Sequence, residues 1–171
     1  MLLGNPAPHF DMVSTKNLDT LEERVTLKDY QGKWLILFFY PADFTFVCPS
    51  EMLAFNEAAP AFAEKNAELL GVSTDGVYVH VAWMDAMVGY LDFPLASDRN
   101  WATSRAYNVL DEAEGIAGRA IVIVDPDGIV RYEVNHADQV GRSPREIMRV
   151  LSALQGSGRT FAANDLEPAA A

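Results

Sequence analysis

The chain has 171 residues, one cysteine and a formal net charge of −11, from 24 acidic against 13 basic residues. This charge argues against nucleic acid or an anionic membrane as a partner. Half of the residues are apolar, which indicates one globular domain with a substantial core rather than a disordered chain. The N-terminus lacks the basic stretch and apolar core of a secretory signal, and one cysteine cannot close an internal disulfide. We therefore expect a cytoplasmic protein.

The first predicted elements lead to a central buried strand. Residues 5–10 are expected to be extended, and residues 24–27 alternate as a short strand does. Residues 34–40 (WLILFFY) form a continuous apolar run, which is typical of a strand buried on both faces. Pro41 ends this strand and opens a polar-aromatic loop.

The next helix is predicted to begin at or beside Cys48. Pro49 suits the first position of a helix. The residues that follow at helical spacing are Met52, Phe55, Ala59 and Phe62. Pro60 predicts a kink or break near Ala59. A thiol at a helix start meets unpaired N–H groups and the helix dipole, which lower its pKa. Cys48 is therefore a candidate nucleophile, although a lone cysteine is more often buried and inert.

The middle of the chain continues the alternation of strands and helices. Residues 68–73 predict a buried strand parallel to residues 34–40, because a helix connects the two. Residues 77–90 predict an amphipathic helix. Its apolar stripe is expected to contain Val77, Val81, Met84 and Val88, flanked by Trp83 and Met87. Residues 93–95 should be extended, and residues 101–107 should form a short helix.

The last third predicts a hairpin and a final helix. Residues 120–124 (AIVIV) read as a buried strand, and the turn at 125–128 (DPDG) leads into a second strand at 129–134. Ser143 caps a helix over residues 144–155. The pattern indicates an α/β sandwich with a mixed sheet and helices on both faces. We predict one domain over residues 1–155 and a tail over 156–171, poorly ordered unless a partner subunit holds it.

The stretch around the cysteine, residues 39–51 (FYPADFTFVCPSE), resembles the active-site signature of the peroxiredoxins without interruption. These are thiol peroxidases of thioredoxin-like fold. Residues 72–83 (VSTDGVYVHVAW) also resemble the family, and the likeness extends over essentially the whole chain to Gln155. The resemblance is to the bacterial alkyl hydroperoxide reductase branch of the typical two-cysteine enzymes. It implies a thioredoxin-like fold and peroxidase activity.

The same resemblance implies roles for residues of the cysteine loop. Cys48 would attack the peroxide as a thiolate, Thr45 would exchange hydrogen bonds with the peroxide, and Pro41 would shield the sulfur. Without the family, a threonine that stabilises a turn is the better interpretation of Thr45. The proposed chemistry also needs donors for the leaving oxygen.

Two arginines elsewhere in the chain are candidates to stabilise the negative charge on the leaving oxygen. Arg119 begins a buried strand, which is costly unless an anion meets it, although a surface arginine is equally common. The resemblance implies that Arg119 stabilises the thiolate and the transition state. Glu51, in the first turn of the Cys48 helix, can orient it. Arg142, in a segment (VGRS) that resembles a third family motif, either joins Glu51 or lies at the helix entry without such a role.

The chain departs from the family in its tail. Phe161 stands where the branch carries its resolving cysteine, so an intersubunit disulfide is in doubt. We predict a one-cysteine enzyme that reduces hydrogen peroxide or small organic hydroperoxides and is recycled by an external thiol, from a redoxin-like protein or a small molecule. The alternative is a redox-sensing or holdase-type protein whose assembly changes when Cys48 is oxidised. The rate of peroxide consumption with excess small thiol separates these hypotheses.

No cofactor or metal is expected. His9, His80 and His136 are far apart in the sequence and lack a nearby carboxylate cluster, so surface or packing roles are favoured. No glycine-rich phosphate loop is present. The resemblance also implies a homodimer at least, or a ring of dimers. Pairing of the late strand 129–134 with its counterpart would explain a dimer, and Phe44, Phe46 and Trp83 are expected to add exposed aromatic surface.

Overall fold

A computed structural model describes residues 1–45 and 48–156 and, for Cys48, the backbone alone. The predictions for Phe46, for Phe161 and for the tail beyond Gly156 lie outside these residues. In chain order, the elements are β1 (Asp11–Ser14), β2 (Arg24–Thr26), β3 (Trp34–Phe39), α1 (Cys48–Glu64), β4 (Ala67–Ser73), α2 (Val77–Trp83), β5 (Leu95–Ser97), α3 (Ala102–Ala106), β6 (Leu110–Asp111), β7 (Ile116–Ala117), β8 (Arg119–Val124), β9 (Val130–His136) and α4 (Pro144–Gln155). A 3-10 turn (Leu27–Tyr30) precedes β3, and a π-helical turn (Met84–Val88) extends α2.

The main sheet has seven strands in the order β2-β1-β5-β4-β3-β8-β9. β3 lies parallel to β4 and antiparallel to β8, with Ile36 opposite both Leu69 and Ile123. The predicted parallel pair and the predicted hairpin of β8 and β9 are both present. β6 and β7 form a separate two-stranded sheet. The mixed sheet confirms the α/β fold class.

Alternate residues of β3 face two apolar clusters on opposite faces of the sheet. Ile36 and Phe38 join the cluster covered by α1, α2 and α4. Leu35, Leu37 and Phe39 join the other cluster, which includes residues of the 3-10 turn, of the N-terminal segment and of the stretch directly after α3. Burial on both faces explains why β3 is a continuous apolar run. The helices therefore lie on both faces, as predicted.

Helix α1 is not interrupted at Pro60, so the predicted break is wrong. The helix runs from Cys48 to Glu64 with Pro60 inside it. Phe55 and Phe62, on either side of the proline, are both fully buried and stack on one another with their ring centroids 6.3 Å apart. Packing on both sides of Pro60 favours one helix despite the lost backbone hydrogen bond.

The buried face of α2 and the turn that extends it matches most of the predicted apolar stripe. Val77, Met84 and Val88 are buried as expected, but His80 and Trp83 are the most buried residues and Val81 is only half-buried. Trp83 stacks on Tyr40 with ring centroids 5.8 Å apart. Trp83 is therefore part of the core, and the prediction that it adds exposed aromatic surface is wrong. Phe44 is half exposed, as predicted.

The sequence did not predict β1, β6 or β7, and the strand order places β9 at an edge of the main sheet. β1 (Asp11–Ser14) pairs with both β2 and β5. β9 pairs with β8 on one side and is the last strand of the main sheet. An edge strand has backbone N–H and C=O groups that a second chain can pair with.

Candidate active site

The end of β3 and the start of α1 bracket the loop of the sequence signature. β3 ends at Phe39, and α1 begins at Cys48. Ala120 of β8 lies opposite Phe39, so Arg119 lies at the same end of the sheet from which the loop departs. Helix α1 starts at this end as well, because it connects two parallel strands. The fold thus brings Arg119 to the cysteine loop, although Arg119 follows Cys48 by 71 residues in the sequence.

Glu51, Arg119 and Arg142 form a buried ionic group that we call the arginine cluster. The carboxylate of Glu51 accepts a hydrogen bond from Nη1 of Arg119 through Oε2. Nε of Arg142 donates to Glu51 Oε1 at 2.9 Å, and Nη2 donates to Oε2 at 3.0 Å. The backbone N–H of Arg142 donates to Oε1 at 2.6 Å. Both guanidinium groups therefore share one carboxylate.

The two arginines are also held by backbone groups, which explains how they tolerate burial. Nη1 of Arg142 donates to the carbonyl of Phe39, and to that of Ala120 at 2.8 Å. Its guanidinium lies 3.6 Å from the ring centroid of Phe38. Nε of Arg119 donates to the carbonyl of Asp138 at 3.1 Å. Buried charges require such partners, since an unpaired charge in the core is very costly.

The arginine cluster brings two cations to one carboxylate in a buried site. Arg119 and Glu51 are each only 4% exposed. Burial by itself raises the pKa of Glu51, but the hydrogen bonds and charge of Arg142, with the charge of Arg119, hold that pKa below its ordinary value. Glu51 is therefore a carboxylate that fixes both arginines.

Thr45 and Pro41 lie on the loop between β3 and α1. The hydroxyl of Thr45 donates to the carbonyl of Ala42 at 2.9 Å, so it stabilises a turn, as the residue type alone suggests. Its proton is committed to that bond, and the oxygen's lone pairs remain to accept a hydrogen bond from a ligand. Pro41 is buried at the start of the loop.

Tyr40, Asp43 and His80 form a second buried group, which we call the loop clamp. The Tyr40 hydroxyl donates to Oδ1 of Asp43 at 2.8 Å, and Nδ1 of His80 lies 2.7 Å from Oδ2. Burial, followed by the charge of Asp43, raises the pKa of Tyr40 well above its ordinary value. The tyrosine is therefore a neutral donor to the carboxylate.

The sequence predicts a surface or packing role for His80, and the pairing with Asp43 was not foreseen. The signal that could have identified it is the position of His80 between Val77 and Trp83, on the buried face of α2. An imidazole in an apolar stripe needs a polar partner from another element.

Among residues 1–45 and 48–156, no group of three or more His, Cys, Asp or Glu side chains is arranged to hold a metal ion. No helix in those residues is long and apolar enough to cross a membrane.

Comparisons with known proteins agree on one family. The AhpC/TSA family matches residues 3–133. Peroxiredoxin TSA1-B of Candida albicans is 46% identical over 159 residues, which are 90% of this chain and 80% of that protein. Thioredoxin peroxidase of Fasciola hepatica is 44% identical over 155 residues, covering 86% of this chain and 78% of that protein. The crystal structure of Enterococcus faecalis AhpC superimposes with a TM-score of 0.87 at 37% identity and covers 94% of this chain and 98% of that one.

Proposed function

Because this chain belongs to the AhpC/TSA family and is a peroxiredoxin, a thiol-dependent peroxidase, we propose that Cys48 is its peroxide-reducing thiol. The proposed substrates are hydrogen peroxide and small organic hydroperoxides. The observation that supports this most strongly is the buried arginine cluster at the end of the sheet where α1 begins with Cys48. Two arginine cations near a helix start favour the thiolate, which is the nucleophilic form.

The proposed reaction begins with attack of the Cys48 thiolate on one oxygen of the hydroperoxide. A sulfur–oxygen bond forms while the oxygen–oxygen bond breaks, so the sulfur is oxidised to a sulfenic acid. The other oxygen leaves with the electron pair and takes up a proton, giving water or an alcohol. Negative charge moves onto that leaving oxygen in the transition state. Arg119 and Arg142 supply positive charge for it, since they stay ionised and are held rigidly by Glu51.

Thr45 and Pro41 have supporting roles in this proposal. The Thr45 oxygen accepts a hydrogen bond from the hydroperoxide O–H, because its own proton is donated to Ala42. Such a contact orients the oxygen–oxygen bond relative to the attacking sulfur. Pro41 is buried, lacks an N–H and helps to exclude water from the thiolate.

The second half of the cycle needs a thiol from outside the chain, because the 171 residues contain one cysteine. An external thiol condenses with the sulfenic acid, giving a mixed disulfide and water. A second thiol then displaces Cys48 and leaves as the disulfide of the reductant. The name of the Fasciola hepatica relative, a thioredoxin peroxidase, favours a redoxin-like protein as the donor. Such thiols are kept reduced in the cytoplasm, where we propose that the protein acts.

Peroxide consumption in the presence of excess dithiothreitol tests the proposed activity. The wild-type protein is expected to consume peroxide catalytically, and the Cys48→Ser variant should fall to the rate of dithiothreitol alone. A Cys48→Ser protein that retains the wild-type rate would exclude Cys48 as the reacting group. A wild-type protein that is oxidised but turns over no faster than the background would instead favour a redox sensor.

Nonreducing electrophoresis tests the one-cysteine cycle separately. After one equivalent of peroxide, a sulfenic-acid probe should label Cys48, and the protein should migrate as a single chain. A covalent dimer in stoichiometric amount would contradict the one-cysteine cycle while leaving the peroxidase activity intact.

We also propose a homodimer in which the edge strand β9 pairs with its counterpart. The strand runs from Val130 to His136 and is the last strand of the main sheet. The N-terminal segment already pairs with its start, where Val130 donates to Asn5 and accepts from Gly4, so residues 131–136 are the part proposed to pair with a second chain. Light scattering at micromolar concentration should give at least the mass of two chains. A monomeric mass would contradict this proposal.

A further inference from the structure

We propose that the loop clamp of Tyr40, Asp43 and His80 positions Thr45 for the hydroperoxide, so that His80 is a positioning residue for the peroxidase reaction. This inference rests on the proposed function. It concerns the loop between β3 and α1, whose far end is Cys48. None of the clamp residues is part of the arginine cluster.

The clamp fixes Asp43 at both of its carboxylate oxygens. The two donors come from different elements: Tyr40 follows β3, and His80 lies in α2. The side chains of His80 and Asp43 are 0% and 1% exposed, so water does not compete for these bonds. A carboxylate only accepts, so Nδ1 of His80 must be the donor toward it. These bonds are stronger than a neutral pair of the same geometry.

The backbone of Asp43 is held as well. Its N–H donates to Oδ2 of Asp75 at 2.8 Å, and Asp75 follows β4. Oδ2 of Asp75 in turn accepts from the Ser73 hydroxyl at 3.0 Å. Asp43 therefore attaches the loop to α2 through its side chain and to the segment between β4 and α2 through its main chain.

This attachment accounts for the conformation of the two residues that follow. Phe44 has φ of 57°, in the left-handed region that a bulky side chain rarely adopts. Its side chain is 50% exposed, so core packing does not explain the strain. The strain is tolerated because Asp43 is fixed before it and Thr45 is fixed after it by the bond to Ala42. The turn at Phe44 directs the chain from the clamp to Thr45.

The arginine cluster and the loop clamp should therefore affect reactivity in different ways, which an experiment can separate. The arginine cluster acts on the charge of the sulfur. Its loss should therefore slow the reaction of the thiolate with every electrophile. The clamp acts on Thr45, which can accept from the O–H on the oxygen–oxygen bond of a hydroperoxide but has no partner on the carbon–iodine bond that the thiolate breaks in iodoacetamide. Loss of the clamp should therefore slow peroxide reduction selectively.

The matched variants are His80→Phe and His80→Asn. Phenylalanine fills the cavity but has no donor for Asp43, whereas the amide N–H of asparagine lies close to the position of Nδ1 and preserves the donor. We expect His80→Phe to lower the second-order rate constant for hydrogen peroxide by about 10- to 100-fold, the scale of a misplaced reacting group. The rate constant for iodoacetamide should change less than about twofold, because the thiolate is unaltered. His80→Asn should recover most of the peroxide rate.

Two further variants keep the test decisive. Tyr40→Phe removes one of the two hydrogen bonds and should give a smaller, equally selective loss, which serves if His80→Phe fails to fold. Tyr107→Phe removes a part-buried hydrogen bond to the carbonyl of Pro8, in the apolar cluster on the opposite face of the sheet from Tyr40, and should change neither rate constant. It controls for a loss of stability alone.

The inference is overturned if the clamp variants react with peroxide at the wild-type rate, or if both electrophiles slow by the same factor. It is also overturned if His80→Asn is as slow as a folded His80→Phe. A wild-type protein that reacts with iodoacetamide but not with peroxide would reject the proposed function, which is a different outcome.

Discussion

The arginine cluster and the loop clamp hold the loop between β3 and α1 by different chemistry. In the arginine cluster, two cations share the carboxylate of Glu51. In the loop clamp, Asp43 is also satisfied at both oxygens, but one of its donors is the neutral hydroxyl of Tyr40. The arginine cluster alters the electrostatics of its surroundings, whereas the loop clamp mainly fixes the geometry of the loop. Similar burial and similar hydrogen-bond counts can therefore serve different functions.

The largest expected effect comes from Arg119→Ala. It removes one cation from the arginine cluster, so the Cys48 thiol pKa should rise and the peroxide rate constant should fall by about 10²- to 10³-fold, as for loss of one donor to developing charge. Breaking a buried ion pair should also cost about 3–5 kcal/mol in the free energy of unfolding. Stopped-flow kinetics and urea unfolding measure the two effects.

Arg119→Lys is the matched control because it retains the charge but loses the guanidinium geometry. It should recover part of the rate. If Arg119→Ala reacted with peroxide as fast as the wild type, the arginine cluster would have no electrostatic role, and the contrast with the loop clamp would fail.

A smaller loss of stability, with a distinctive pH dependence, is expected from Glu51→Gln. The folded-state pKa of Glu51 lies below its ordinary value of 4.5. The carboxylate therefore contributes stability that is fully present above its pKa in the unfolded chain and is lost as the pH falls through the folded-state pKa. Glutamine should cost about 2 kcal/mol at neutral pH, the scale of a hydrogen bond to a charged group.

This difference in stability between the wild type and Glu51→Gln should shrink as the pH falls from neutral into the range below 4.5, where the wild type loses the contribution. Urea unfolding at a series of pH values measures it. A difference that stays constant across this range would show that Glu51 is not held as a carboxylate by the arginines.

The smallest effect is expected from Arg105→Gln. Arg105 Nε lies 2.6 Å from Glu112, but both side chains are more than half exposed. Water and salt screen such a pair, so the melting temperature and the peroxide rate should be indistinguishable from those of the wild type. A marked loss of either would mean that ion pairing as such, rather than burial, distinguishes the arginine cluster.

The sequence predicted the parts of this molecule that depend on local pattern. The apolar run of β3, the hairpin of β8 and β9, and α4 from Pro144 to Gln155 all follow from periodicity and turn residues. β1 was missed because a four-residue strand with only half-buried alternation gives little signal. The break at Pro60 was wrongly predicted because the buried phenylalanines on either side outweigh the local cost of proline.

The two polar clusters differ in how far sequence could identify them. Glu51 and the arginines were proposed through a family resemblance, and Arg119 also begins a buried strand where a charge needs a partner. The pairing of His80 with Asp43 joins residues 37 positions apart and depends on the rotation of α2. The predicted apolar stripe contained Val81 and not His80, so the inward position of His80 was not predicted. Only the tertiary packing of α2 determines which of its residues face inward.

The most direct test of the account is the pKa of Cys48 itself, measured by the ultraviolet absorbance of the thiolate as the pH is varied. A helix start beside two arginine cations should make Cys48 a thiolate at neutral pH, so the midpoint is expected below pH 7 on the scale of about 3.5–7.5 for activated cysteines. The Cys48→Ser variant, which has no thiol, provides the baseline. A midpoint at or above the free-thiol value of about 8.5 would contradict the activation of Cys48 by the arginine cluster.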